Sequence, residues 1–207
     1  MDHQCRVRDV RITQFLRADR GFITSVLTLG SDHIIEPMLL VLSGLPGTGK
    51  SELANSLAHH LQIPVLSVDP IESAIIRSGI ARSFETGLAA YSVVEALADA
   101  QLQLGQGAIV DACNYVEPAK EVWRKLAAKH GTPLRIIECY YSDEALHRQR
   151  LAGRYRGLAP SIPEPTWQDI QQRKRETTPW KEPVLAVDAV SPSEVNVKRV
   201  LTWITTD

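Results

Sequence analysis

From residue 38 onward, short apolar runs alternate with longer stretches in which apolar side chains recur every three or four positions. The run at 38–44 (MLLVLSG) is bounded by glycine and suits a strand buried on both faces of a parallel sheet. It is followed at 50–61 by Leu53, Leu57 and Leu61, the i, i+4, i+8 stripe of an amphipathic helix. The same reading predicts strands at 63–69, 107–114, 134–141 and 183–189. Helices are predicted after Asp69 through Ile71, Ile75 and Ile76, over 85–104, from Pro118 to His130, after an Asp143 cap, from Trp167, and from Ser193 to Ile204. Strands alternating with helices predict an α/β domain with a parallel sheet and helices on both faces.

The first 37 residues are Arg-rich, weakly periodic and end at Pro37, whereas an α/β domain could begin at Met38 with nothing missing. Two readings lead for this segment, a flexible or peripheral N-terminal extension or an over-called start with translation beginning at Met38, ahead of a functional N-terminal module. The expected organisation is therefore 1–37 as an extension and 38–207 as one α/β domain.

Composition narrows the partners only by exclusion. With 207 residues, 44% apolar, 23% charged and a formal net charge of -1, the chain has the balance of one folded domain, not of a generally basic nucleic-acid binder. Cys5, Cys113 and Cys139 are odd in number and lack CxxC spacing, which predicts neither a disulfide framework nor a zinc site. No apolar run reaches the roughly 18 residues that cross a bilayer, so no membrane partner and a cytoplasmic location are expected.

The chemistry enters at Gly44-Leu45-Pro46-Gly47-Thr48-Gly49-Lys50-Ser51, a match to GxxxxGK[ST] between the first predicted strand and the first predicted helix. Glycines there free the backbone to aim successive N–H groups at phosphate oxygens, and the helix dipole adds to the attraction. Lys50 supplies charge for the β and γ phosphates of ATP, and Ser51 a hydroxyl for Mg²⁺. Asp69 and Asp111, expected at the ends of strands two and three, project at the carboxyl edge of the sheet. Asp69 is the candidate acceptor-side base and Asp111 the candidate water-mediated Mg²⁺ ligand. Asn114, beyond Asp111, is positioned to orient substrate or fix the loop.

Arg148, Arg150, Arg154 and Arg156 precede a proline-dense stretch, with Arg150 and Arg154 expected on one helix face. An arginine-lined lid over the transferring phosphate is the leading reading, with Arg150 and Arg154 catalytic; a solvated face or an RNA-phosphate patch are the alternatives. His147 is expected on a helix face. Trp167 and Trp180 are expected to pack the base of the lid, with adenine or substrate stacking as the alternative.

The segments GLPGTGKS, SVDPIE, AIVDACN and RQRLAGR together resemble the AAA-33 type of P-loop kinase-like ATPases, relatives of polynucleotide kinases, zeta-toxin-like kinases and chloramphenicol phosphotransferase. That resemblance implies a P-loop NTPase three-layer sandwich, strand order 2-3-1-4-5, and Asp69 in the base position. Pro70 and Ile71 follow Asp69 where the kinases often carry a second acid or an arginine, which weakens a polynucleotide acceptor. Ala112 follows Asp111, which removes the Asp-Glu pair of a hexameric remodelling motor. The expected activity is transfer of the ATP γ-phosphoryl group to a hydroxyl of an unidentified small molecule. A nucleotide-dependent regulatory switch and a nucleic-acid 5'-hydroxyl kinase are the alternatives.

Overall fold

The computed structural model describes residues 36–206; the extension expected over 1–37, Cys5 included, lies outside the described residues except for Glu36 and Pro37. Five strands form one parallel sheet: β1 (Leu39–Ser43), β2 (Val65–Ser67), β3 (Ala108–Asp111), β4 (Leu134–Tyr140) and β5 (Val184–Asp188), in the order β2-β3-β1-β4-β5. This is the order that the family resemblance implies.

Among the described residues seven helices accompany the strands: α1 (Lys50–Leu61), α2 (Val68–Arg77), α3 (Phe84–Gln103), α4 (Glu117–His130), α5 (Glu144–Ala152), α6 (Trp167–Glu176) and, after β5, α7 (Ser193–Thr205). Alternation along β1 sends Leu39 and Val41 to one face and Leu40 and Leu42 to the other, all four fully buried. The first face packs on Val94 of α3 and Trp123 of α4, the second on Leu57 of α1 and Val200 of α7. Two apolar faces per strand require helices on both sides, giving a three-layer sandwich. Among the described residues no helix is long and apolar enough to cross a membrane.

Two element boundaries differ from expectation. β2 stops at Ser67, and Asp69 stands in the first turn of α2 instead of ending the strand. Pro70 is tolerated there because its missing N–H has no intrahelical partner in a first turn, and a carboxylate is favoured at the positive end of the helix dipole. α5 stops at Ala152 with Gly153 as its cap, so Arg150 and Arg154 do not share a helix face. Glycine at the cap followed by Gly157, Pro160, Pro163 and Pro165 turns 153–166 into a loop.

Candidate active site

The loop from Gly44 to Ser51 joins β1 to α1 at the carboxyl edge of the sheet. Gly44 has φ 138°, and a Cβ there would lie 2.2 Å from the Cys139 carbonyl oxygen of β4. Gly47 has φ 87°, and its Cβ would meet His147 Nε2 at 3.2 Å. These two positions therefore need glycine for backbone conformation and for space. The loop is braced from below: Gly44 N and Ser43 Oγ both donate to the Cys113 carbonyl oxygen, each at 3.2 Å. Within it, Thr48 Oγ1 and Lys50 Nζ donate to the Leu45 carbonyl oxygen at 2.8 and 3.0 Å. Lys50 is only 8% exposed, which keeps its charge inside the loop and away from bulk solvent. Ser51 opens the helix beside it and is exposed.

Sheet order brings Asp111 next to β1, which leads into this loop, and leaves Asp69 at the same carboxyl edge one strand further out. Asp111 pairs with Leu42 of β1 on one side and with Ser67 of β2 on the other. It is 7% exposed and accepts from Ser67 Oγ at 3.1 Å, so it is a carboxylate held in place beneath the loop. Asn114, with φ 49°, donates through Nδ2 to the Leu42 carbonyl oxygen at 3.2 Å and accepts from Trp123 Nε1 at 2.8 Å. Fully buried, it fixes the loop after β3 and does not face a substrate. Asp69 is 48% exposed and accepts from Arg156 Nη1 at 2.7 Å through Oδ2.

The arginines separate into distinct environments. Arg156 is the hub of the 153–166 loop, binding Asp69, Glu164 (Nε to Oε2, 2.9 Å) and the Pro163 carbonyl oxygen (3.1 Å). Arg77 of α2 adds a bond to the Gly157 carbonyl oxygen, and Ala159 N donates to Ser73 Oγ, so the loop lies along α2. Arg154 is partly buried and its Nη1 has no partner; burial, then repulsion from Arg156, pulls its pKa down. Arg150 stays beside the loop but is claimed by Glu52 of α1 at 2.7 Å, and that hydrogen bond holds its pKa up. Arg148 stacks on Trp167, 5.0 Å from the ring centroid.

Two residues have roles that the sequence pattern does not signal. His147, expected on a helix face, is buried under the phosphate loop and donates from Nε2 to the Pro46 carbonyl oxygen at 2.8 Å. Its ring stacks on Tyr141 at 5.1 Å and takes the edge of Trp167 at 5.3 Å. Arg156 stands out in the sequence only as one of four arginines; its pairing with a residue 87 positions away has no local signature. Trp180 is buried under Lys120 and Arg124 of α4, a packing role.

A cavity of 410 Å³ opens beside the phosphate loop, lined by Leu45, Cys113, Tyr115, Glu138, Trp167 and Lys174 among others. A smaller groove of 80 Å³ lies on the α1 and α7 side, against Gly49, Glu52, Arg150, Ala189 and Asn196. Cys139 in the wall between them is inert, because burial pushes its thiol up to about 12.

A glycine-lined loop around a buried lysine, a parallel sheet ordered 2-3-1-4-5 and a carboxylate below the loop define the P-loop kinase-like class of nucleotide-binding folds. The chain belongs to the AAA domain family AAA_33, which matches residues 39–177. No curated protein matches the sequence. Among solved structures, it is similar to a kinase candidate from Chloroflexus aurantiacus J-10-fl, with TM-score 0.64, 23% identity, and 83% of this chain and 96% of that one covered. It is similar also to the Mycobacterium tuberculosis APS kinase CysC in complex with AMPPNP and APS (TM-score 0.63, 17% identity, 83% and 99% covered). A third similar structure is Chaetomium thermophilum Kti12 in complex with ADP-AlF3 (TM-score 0.59, 17% identity, 81% and 99% covered).

Proposed function

We propose that the protein is a kinase that moves the γ-phosphoryl group of ATP to a hydroxyl of a small molecule. The observation that carries this reading is Asp69: a half-exposed carboxylate beside the β2 and β3 ends, with Oδ2 bound to Arg156. Its other oxygen is available to take the proton of an acceptor hydroxyl. As that O–H bond breaks, the acceptor oxygen forms a bond to the γ phosphorus and the bond from phosphorus to the ADP oxygen breaks. Lys50 and the backbone N–H groups from Gly47 to Ser51 hold the phosphates, and Arg154 brings an unpartnered guanidinium donor to the transferring group.

The residues fit a nucleotide-bound Mg²⁺, for which Ser51 would supply a hydroxyl and Asp111 a carboxylate. When bound, the ion neutralises charge on the β and γ phosphates. Arg150 is reassigned from phosphate contact to the wall of the groove beside Gly49, since Glu52 holds it. The fold that this chain shares with the APS kinase supports a small-molecule acceptor.

The second reading, a nucleotide-dependent switch, draws on the same ion pair. Arg156 on Asp69 ties the 153–166 loop to α2, so a change at the phosphates could be passed to that loop. The two readings separate when wild-type protein and Asp69→Asn are incubated with γ-labelled ATP, Mg²⁺ and a pool of cell metabolites and oligonucleotides. A labelled product from wild type alone supports the kinase and names its acceptor. Slow hydrolysis unchanged in Asp69→Asn supports the switch, and a labelled oligonucleotide supports a 5'-hydroxyl kinase.

A further inference from the structure

Among the described residues α3 is the longest helix, and its outer side is apolar. Val94, Ala98 and Leu102 turn towards the core. The opposite side presents Ala89, Val93, Ala96, Leu97, Ala100 and, at the cap, Leu104, all of them exposed. Val93, Leu97 and Leu104 are 41%, 45% and 71% exposed, so they contribute little to the fold of the chain that carries them. At 3.6 residues per turn these six positions fall within a stripe about 100° wide, and no polar residue between Ala89 and Leu104 interrupts it. A solvated helix face is ordinarily polar, and a continuous apolar stripe in its place marks a surface made for contact.

Charge and spacing say what covers it. α3 carries no lysine or arginine, and its acids lie off the stripe. Asp99 is held by Lys129 and His130 of α4 at 2.7 and 2.5 Å, and Glu95 stands one turn before it on the same side. The occupant is therefore matched by shape, not by charge. Ala89, Val93, Ala96 and Ala100 recur at intervals of four, three and four, the seam of one helix packed along another. Turned antiparallel about a point between Ala96 and Leu97, a second copy of this helix sets Val93 against Ala100, Ala89 against Leu104 and Ala96 against Leu97. Each larger side chain then meets an alanine, and the two helix dipoles oppose. A parallel pair would instead set Val93 on Val93 and Leu97 on Leu97, with alanine facing alanine between them. Phe84 and Leu88, also exposed, lie on other sides of the helix and take no part.

We infer that the protein pairs with a second copy of itself along α3, as an antiparallel two-fold dimer centred between Ala96 and Leu97. One helix face is smaller than the roughly 800 Å² that each partner of a stable complex buries, so the dimer is weak and exchanges with monomer. Lys50, Asp69 and Asp111 lie on other elements, and the inference stands apart from the kinase reading.

Sedimentation equilibrium of the full chain, from low micromolar to near-millimolar loading, tests the pairing. The mean mass should climb from one chain towards two, close to a doubling. Val93→Glu should hold it at one chain throughout while keeping the circular dichroism and thermal midpoint of wild type, since Val93 faces solvent. Cysteine trapping reads the register. Val93→Cys and Ala100→Cys proteins, mixed and oxidised, should give a disulfide-linked dimer on a non-reducing gel beyond that of wild type with its own cysteines. Each variant oxidised alone should not, because like positions then stand about 10 Å apart along the axis, beyond the reach of a disulfide. A single-chain mass at every loading overturns the inference, whether the stripe is bare or is covered within the monomer. So does a dimer that Val93→Glu leaves intact, which would place the interface elsewhere. A mixture that cross-links no more than either variant alone overturns the antiparallel register.

Discussion

Arg156 Nη1 donates to Asp69 Oδ2 at 2.7 Å, and the same guanidinium holds Glu164, so one side chain joins α2 to the loop that follows α5. Arg156 is only 11% exposed on its side chain, and charge-assisted bonds in that setting are stronger than surface ion pairs.

The two ends of this pair should fail differently. Asp69→Asn keeps a hydrogen-bond acceptor for Arg156 but loses the base; transfer is expected to fall by about 10²- to 10⁴-fold with ATP affinity nearly unchanged. Arg156→Ala leaves the base and frees the loop. Amide hydrogen exchange over 153–166 should accelerate while β1 and β3 keep their protection. Equal loss of ATP affinity in Asp69→Asn would remove this residue from the chemistry.

Gly44 and Gly131 both have positive φ, yet they should respond unequally to alanine. A Cβ on Gly131, φ 59°, meets nothing within 4 Å, so Gly131→Ala costs only the strain of a left-handed residue, about 1 kcal/mol. At Gly44 the Cβ strikes the Cys139 carbonyl oxygen, and either β4 or the phosphate loop must move. Gly44→Ala should abolish measurable ATP binding and lower the thermal midpoint well below that of Gly131→Ala. Similar midpoints for the two variants would show that the loop yields more readily than its contacts imply.

The parts of this site that are legible in the sequence are those specified locally. Gly44 to Ser51 is contiguous, and its neighbours carry strong strand and helix patterns, so motif and elements coincide. Asp69 reads as the end of β2 because Val65, Leu66 and Val68 continue a β-like run, whereas Pro70 and the helix dipole favour a helical first turn. Arg154 reads as part of α5 because the arginine spacing is helical; Gly153 ends the helix one residue earlier. The hydrogen bonds of Arg150 to Glu52, 98 positions away, and of His147 to Pro46, 101 positions away, depend on how α5 docks, which no local pattern encodes.

His147 gives the phosphate loop a pH dependence of definite sign. Burial depresses its pKa below the ordinary 6.5, so the unfolded chain binds the proton more readily than the folded one. Its neutral Nε2–H form suffices to hold Pro46. Stability should therefore be fully present above pH 6.5 and decline as pH falls through that value towards the folded pKa. His147→Phe retains an aromatic ring for Tyr141 but gives up the bond to Pro46, at about 1 kcal/mol. Denaturant midpoints at pH 8 and pH 5 test this: the wild type should lose more stability between them than the variant. An equal loss would assign the acid sensitivity elsewhere.

Lys120 of α4 is a further buried cation, and it positions α6 from behind. It donates to the Thr178 carbonyl oxygen and to Thr178 Oγ1 and lies 4.9 Å from the Trp180 ring centroid. Burial pulls its pKa down, so its folding penalty is present at neutral pH and shrinks as pH rises towards the unfolded 10.5. Thr178 N in turn bonds the Tyr115 carbonyl oxygen, which ties this clamp to the cavity wall on which Arg173 stacks. Lys120→Ala strands the Thr178 carbonyl and opens a void beside Trp180, and should cost about 3 kcal/mol or more. Lys120→Met fills the void and should cost less, since a buried charge is removed together with its bond. Neither variant touches the loop from Gly44 to Ser51, so ATP affinity should hold in both. Loss of ATP affinity in Lys120→Met would mean that α4 supports the nucleotide site directly.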